Sequence, residues 1–256
     1  HKMPLVEVIF GEKTAPEVTA TIFDLAKKMG KTPVVVKDAP GFLVNRILAP
    51  YLGEGVRLLL EGVPMERIDQ GMRAFGMPVG PIELLDDVGI DVAAKGAETL
   101  SATWPERMPI DPAFGKLVTS GRLGRKTKKG FYRYEGDKRV GPDPQSYADL
   151  GVASPGSASI SPEALEERLI YPMVNEAAYC LAEGIVAGPD KLDLAMIFGI
   201  GFPPFRGGLC AHADARGAAA VASALSRLAS GKGPRFNPAP LLAEMAKLGK
   251  SFFGKE

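Results

Sequence analysis

A carboxylate in the middle of an apolar strand is the first chemical signal in this 256-residue sequence. The run PLVEVIF sets Glu7 between Val6 and Val8. Burying an unpaired carboxylate costs several kcal/mol or drives it neutral. Either Glu7 faces water, or something outside the run needs its negative charge. Histidine is scarce: only His1 and His212 could serve a Ser-His-Asp or Cys-His site. His212 lies in GGLCAHADARG, which reads as a helix start or a surface turn. Cys180 and Cys210 form no CxxC and no Cys/His cluster, so no metal site and no disulfide framework are expected. GIGFPP at 199–204 imitates a dinucleotide loop but puts prolines where helix-start amides should face a pyrophosphate. GRLGRKT at 121–127 imitates a phosphate loop with the wrong Gly-to-Lys spacing. The segment 122–139 carries Arg122, Arg125, Lys126, Lys128, Lys129, Arg133, Lys138 and Arg139. This positive patch is either a solvated face or a contact for phosphates.

Composition narrows the class. A net charge of +1 creates no field that would draw the chain to nucleic acid or a membrane surface. No apolar run approaches the ~18 residues of a membrane span. Two cysteines and a C-terminus without an SKL-type address suit a reduced, cytoplasmic protein.

The elements that must position these residues come in two kinds. PLVEVIF, then APEVTATIFDLAKKMGK with Val18, Ile22, Leu25 and Met29 at helical spacing, then TPVVVKD, predict strand, helix and strand. Such a unit joins a parallel sheet. Two strands cannot complete that sheet, so the chain reads as entering in mid-domain, with the rest of the sheet outside it. From Gly41 the pattern turns helical: GFLVNRILAPYLGEGVRLLLEG with Pro50 inside it, PMERIDQGMRAFG, and GPIELLDDVGIDVAAKGAETLSATW. GRLGRKTKKGFYRYEGDKRVG predicts a loop and a small hairpin. Residues 136–160, rich in Gly, Asp, Pro and Ser, read as a linker. Ser161-Pro162-Glu163 carries the N-cap, N1 proline and first-turn acid of a new helix.

That helix repeats the earlier one. RILAPYLGEGVRLLLEGV (46–63) lies over RLIYPMVNEAAYCLAEGI (168–185) without a gap, sharing Arg, Pro, both Glu and Gly. A mid-helix proline costs about 3 kcal/mol, so its recurrence argues for duplication. RIDQGMRAFGMPVGP then pairs with KLDLAMIFGIGFPPF. The chain is therefore expected to hold two copies of one all-α module, burying their apolar faces against each other. Asn45 is matched by Glu167, so any chemistry of Asn45 is confined to the first copy and the second reads as structural.

MPLVEV, KDAPGFLVNRILAPYL, PVGPIELLDDVGID, GRLGRKTKKGFYRY and GFPPFRGG, in that order, resemble L-3-hydroxyacyl-CoA dehydrogenases, with the doubled module similar to the multifunctional enzymes of fatty acid β-oxidation. The resemblance implies a mainly α fold. A Rossmann α/β tail at residues 1–38 would precede two tandem helical modules of the 6-phosphogluconate dehydrogenase C-terminal-like type, at 39–135 and 161–256. It implies an NAD-dependent reaction on an acyl-CoA substrate, with NAD bound mainly by sequence outside these residues. The family's catalytic base is a histidine paired with the Glu of LVEV, here Glu7. By family spacing that histidine precedes His1, which itself matches a different family histidine. A base that becomes imidazolium needs a nearby carboxylate to orient and stabilise it, which would give Glu7 its reason. Asn45 matches the family's substrate-contacting catalytic Asn; by residue type alone it could instead simply cap a turn. Lys126 matches a cofactor-contacting Lys. Phe198 falls where multifunctional relatives carry a substrate-contacting Tyr.

The partners implied are acyl-CoA and a thiolase β subunit, with no nucleic acid. The open strand edges could also self-associate. The chain alone is expected to be inactive. Two alternatives stand beside this reading: a dimerisation or substrate-binding module without activity, and the C-terminal part of another NAD-dependent hydroxy-acid dehydrogenase.

Overall fold

The computed structural model describes residues 3–152, 156 and 158–254; His1 and part of the expected linker lie outside them. The chain divides into two compact units, residues 1–48 with 171–256, and residues 49–170.

In the first unit, β1 (Leu5–Phe10), α1 (Pro16–Lys28) and β2 (Thr32–Lys37) form the expected crossover, and the strands pair in parallel with Glu7 opposite Val34. Helix α1 buries only Ala26, while Val18, Ile22, Leu25 and Met29 stand exposed. The apolar stripe thus faces away from the two strands. The strands dock on the second repeat: Lys37 N–H donates to the Ile185 carbonyl at 2.9 Å. Gly199 of α9 (Pro189–Ile200) packs so closely on Leu5 and Val44 that a Cβ there would lie 2.9 Å from Leu5 Cδ2. Helix α8 (Pro162–Ala182) begins as expected, with Ala164 N–H donating to Ser161 Oγ at 3.1 Å. Helices α10 (Leu209–Arg216), α11 (Ala218–Lys232) and α12 (Pro240–Leu248) complete this unit.

Helix α2 runs from Val44 to Leu60, three residues later than the sequence pattern suggests. Gly41 (φ 73°) and Phe42 (φ 50°) are left-handed, and a right-handed helix cannot start through them. Pro50 and Pro172 sit inside α2 and α8, and the unit boundaries fall beside both prolines.

The second unit holds α3 (Met65–Phe75), α4 (Pro81–Val88), α5 (Ile90–Thr103), α6 (Ala113–Thr119), the hairpin β3 (Tyr132–Glu135) and β4 (Lys138–Pro142), and α7 (Pro144–Leu150). The single helix expected over 80–104 breaks at Gly89, whose φ of 104° ends α4 and caps α5. Residues 136–160 are more than a linker, since β4 and α7 occupy 138–150. The composition of 136–160 hides a local helix start, the N-cap Asp143 with Pro144 at N1, and the remaining support is remote: Tyr147 Oη accepts from Met65 N at 3.0 Å, and buried Arg122 reaches Asp143 and Asp149 at 2.6 and 2.5 Å.

The two repeats share their buried polar anchors. Asp69 accepts from Ile82 and Glu83 N–H at 2.9 and 3.2 Å, capping α4, and Asp193 accepts from Cys210 and Ala211 N–H at 2.6 and 3.0 Å, capping α10. Gly80 and Gly208 precede these helices, and a Cβ at either would collide with its aspartate. Asp86 takes the amides of Phe131 and Tyr132, and Asp214 those of Phe252 and Phe253. The alignment of Pro81 with Phe205 is therefore corrected: the second repeat inserts a 3-10 turn at Pro204–Arg206, and α4 corresponds to α10. The arginines are reciprocal. Arg46 pairs with Glu176 and Glu183 at 2.6 and 2.8 Å, while Arg168 pairs with Glu54 and Glu61 at 2.7 and 3.1 Å. Each repeat's arginine thus holds both acids of the other repeat's helix, the signature of an isologous contact.

Asp69 gives a pH prediction. Burial pushes its carboxyl up to about 7, against the opposing pull of Tyr132 Oη–H and the α4 amides. The native state therefore holds this proton more tightly than the unfolded chain, and the stabilisation is lost as pH rises through that value. The stability advantage of wild type over Asp69→Asn is expected to shrink between about pH 4 and about pH 7, by on the order of a few kcal/mol. Urea unfolding across that range measures it; a pH-independent gap would refute it.

Candidate functional site

Glu7 finds its partner at the start of α2. Its Oε1 accepts from Leu43 N–H at 2.9 Å and Val44 N–H at 3.3 Å. Helix starts leave four amides unsatisfied, and the usual solution is a Ser, Thr, Asp or Asn at the N-cap. Here the preceding residues are Ala39-Pro40-Gly41-Phe42-Leu43, none of which has a side chain that can accept from the helix amides. A carboxylate 36 residues upstream does so instead. Burial raises the Glu7 pKa, and the two amides partly counter that rise. The half-buried carboxylate is thus anchored on one oxygen, and its chemistry allows Oε2 to accept a further donor.

Asn45 follows on the first turn of α2 with its side chain exposed. Capping of this turn falls to Glu7, not to Asn45. Phe198 is 37% exposed on α9, adjacent to the Gly199 that packs on Leu5 and Val44. Three of the four candidate residues therefore stand on touching elements of the first unit: Glu7 on β1, Asn45 on α2 and Phe198 on α9.

Lys126 belongs to the second unit. Its Nζ lies 2.5 Å from Asp91 Oδ1 at the start of α5, half-exposed over Gly89. That ammonium holds the Asp91 carboxyl below its ordinary value. Acids pair five of the eight cations of the basic segment, while Lys129, Arg133 and Lys138 stand exposed. Arg122 is fully buried between Asp143 and Asp149, and Arg139 pairs with Glu83 and Asp87 at 3.0 and 3.2 Å. Arg125 reaches Asp87 and Lys128 reaches Asp137. These acids come largely from α4 and α7, and so offset much of the charge of a run that looks unbroken in sequence. His212 lies in the first turn of α10, the helix start and not the surface turn of the two readings, and is buried near the Phe202 ring.

Sequence reasoning missed Phe42. A non-glycine at φ 50° on the rim of this site carries strain, yet its type gives no warning. The readable signal was the absence of any capping residue before α2.

A Rossmann-type strand–helix–strand followed by a doubled helical domain defines the class. Residues 41–134 and 165–252 match the 3-hydroxyacyl-CoA dehydrogenase C-terminal domain, and residues 1–39 match the 3-hydroxyacyl-CoA dehydrogenase NAD-binding domain. The chain belongs to the 3-hydroxyacyl-CoA dehydrogenase family. Within it, the sequence is 47% identical over 252 residues to the fatty acid oxidation complex subunit alpha of Idiomarina loihiensis, covering 98% of this chain and 36% of that protein. It is 48% identical over 254 residues to the subunit of the same name from Shewanella loihica, again covering 36% of that protein. The chain thus spans about a third of the length of these curated relatives. Among solved structures it resembles 3-hydroxybutyryl-CoA dehydrogenase from Escherichia coli K12, with a TM-score of 0.80 and 26% identity over 96% of this chain and 68% of that one. It also resembles the dehydrogenase part of multifunctional enzyme 1 from C. elegans, with a TM-score of 0.67 and 27% identity over 94% of this chain and 56% of that one.

Proposed function

We propose that this chain is the C-terminal part of an NAD-dependent L-3-hydroxyacyl-CoA dehydrogenase of fatty acid β-oxidation. The observation that carries the reading is the junction of β1 and α2, where an anchored carboxylate lies beside an exposed amide. When bound, NAD supplies the hydride acceptor for C3 of the substrate. Only the last strand–helix–strand of its domain lies here, so most of the cofactor contacts come from sequence outside these residues. The exposed stripe of Val18, Ile22, Leu25 and Met29 supports this, since it suits cover by the remainder of that domain.

Glu7 orients a histidine through Oε2 and stabilises the imidazolium formed when the 3-hydroxyl proton is taken. Asn45 donates its amide hydrogens to the thioester or developing 3-oxo oxygen without adding a titrating charge. The half-exposed Phe198 ring supplies apolar contact to the acyl portion. Lys126 exchanges Asp91 for a cofactor phosphate. No helix among the described residues is long and apolar enough to cross a membrane. Cys180 and Cys210 are buried and form no disulfide, which suits a reducing cytoplasmic setting, with a thiolase β subunit as the complex partner.

The test is NADH oxidation with acetoacetyl-CoA. The full-length protein is expected to turn over, and the 256 residues alone to match a buffer blank, because they contain no pyrophosphate-binding loop. Turnover by the full-length protein of 2-hydroxy or sugar acids but not acetoacetyl-CoA would assign it to another dehydrogenase class. Activity of the chain alone would place the base inside it.

A further inference from the structure

We propose that Glu7 is also the positioning residue for Asn45, so that one carboxylate fixes both the base and the substrate amide. This rests on the dehydrogenase reading above. The turn before α2 is strained: Gly41 and Phe42 are consecutive left-handed residues. For an L-residue that conformation crowds the Cβ against the following carbonyl oxygen and is unfavourable. Phe42 is 38% exposed, so deep burial does not offset that strain. What the turn achieves is to aim Leu43 and Val44 N–H at a single oxygen, Glu7 Oε1.

That oxygen is itself well fixed. Glu7 lies in register with buried Val34 of β2, and Val44 is wedged against Gly199 of α9. Asn45 is the next residue along α2, so the same two hydrogen bonds fix the backbone from which its side chain extends. Within the helix, Arg46 N–H reaches back to the Gly41 carbonyl at 3.1 Å, which ties the turn to the first full helical rung. Release of Glu7 would let the strained turn relax and carry Asn45 with it. A displacement of about 1 Å at a reacting centre can cost on the order of 10²-fold in rate.

Two substitutions separate the roles in the full-length protein. Glu7→Gln keeps a carbonyl oxygen able to accept both amides but removes the charge. Glu7→Ala removes both. Turnover is expected to fall in each. Only Glu7→Ala should raise KM for acetoacetyl-CoA, by about 10-fold, and speed hydrogen exchange at the Leu43 and Val44 amides by at least as much. Equal KM and equal exchange in the two variants would overturn the proposal. If Glu7→Ala does not fold, Glu7→Asp serves, since it keeps the charge but falls one methylene short of α2. It should then show raised KM and faster exchange, and wild-type values would overturn the proposal. A wild-type protein without dehydrogenase activity would defeat the functional reading, while the exchange rates would still report on the anchor.

Discussion

Glu7→Gln in the full-length protein should lower turnover by about 10²-fold or more while leaving KM for acetoacetyl-CoA near its wild-type value. The substitution preserves shape and the acceptor for Leu43 and Val44 N–H. What it removes is the negative charge that stabilises an imidazolium. A neutral amide can still orient a ring, so the loss falls on the charged species formed during proton transfer, not on substrate binding. The environment makes that charge count. Glu7 is half-buried, so its field is less screened than it would be in water. A variant with normal turnover and a raised KM would place Glu7 in binding alone.

How much of this could be read from the residues is set by range. The strand–helix–strand unit, the hairpin and the N-cap at Ser161 follow local patterns of alternation, spacing and capping, and the structure contains each of them. The duplication was legible because its anchors, arginine, proline and two glutamates, recur without a gap. Contacts between distant segments were not legible. Glu7 invited a question about its partner, but nothing local says that the partner is a helix start 36 residues on. Arg122 looks like any other cation of its run, yet it is the buried hub between Asp143 and Asp149. The Asp69 and Asp193 caps were hidden because each aspartate sits in mid-helix and serves the following helix. The inserted turn at Pro204–Arg206 then shifted the apparent register of the second repeat.

The duplicated arginines carry the largest stability effect. Arg46→Ala is expected to destabilise the chain by about 3–5 kcal/mol, the usual cost of removing one partner from a buried ion pair. Arg46 is fully buried, and the carboxylates of Glu183 and Glu176 keep it charged against the cost of that burial. Without the guanidinium, Glu176, itself only 5% exposed, loses the cation 2.6 Å away. Arg168→Ala removes the reciprocal contact to Glu54 and Glu61, but Glu54 retains Arg57 at 3.0 Å. Its cost should therefore sit at the lower end of the same range. Arg46→Lys should recover little, because a point charge cannot span two carboxylates as a planar fork does. Pairing Arg46→Ala with Glu176→Gln should recover part of the loss, since the desolvated charge is then gone as well. Guanidinium unfolding midpoints at constant m-value measure all four variants. An Arg46→Ala midpoint within about 1 kcal/mol of wild type would show that the repeats are held by apolar packing, with the arginines contributing no more than a surface pair does.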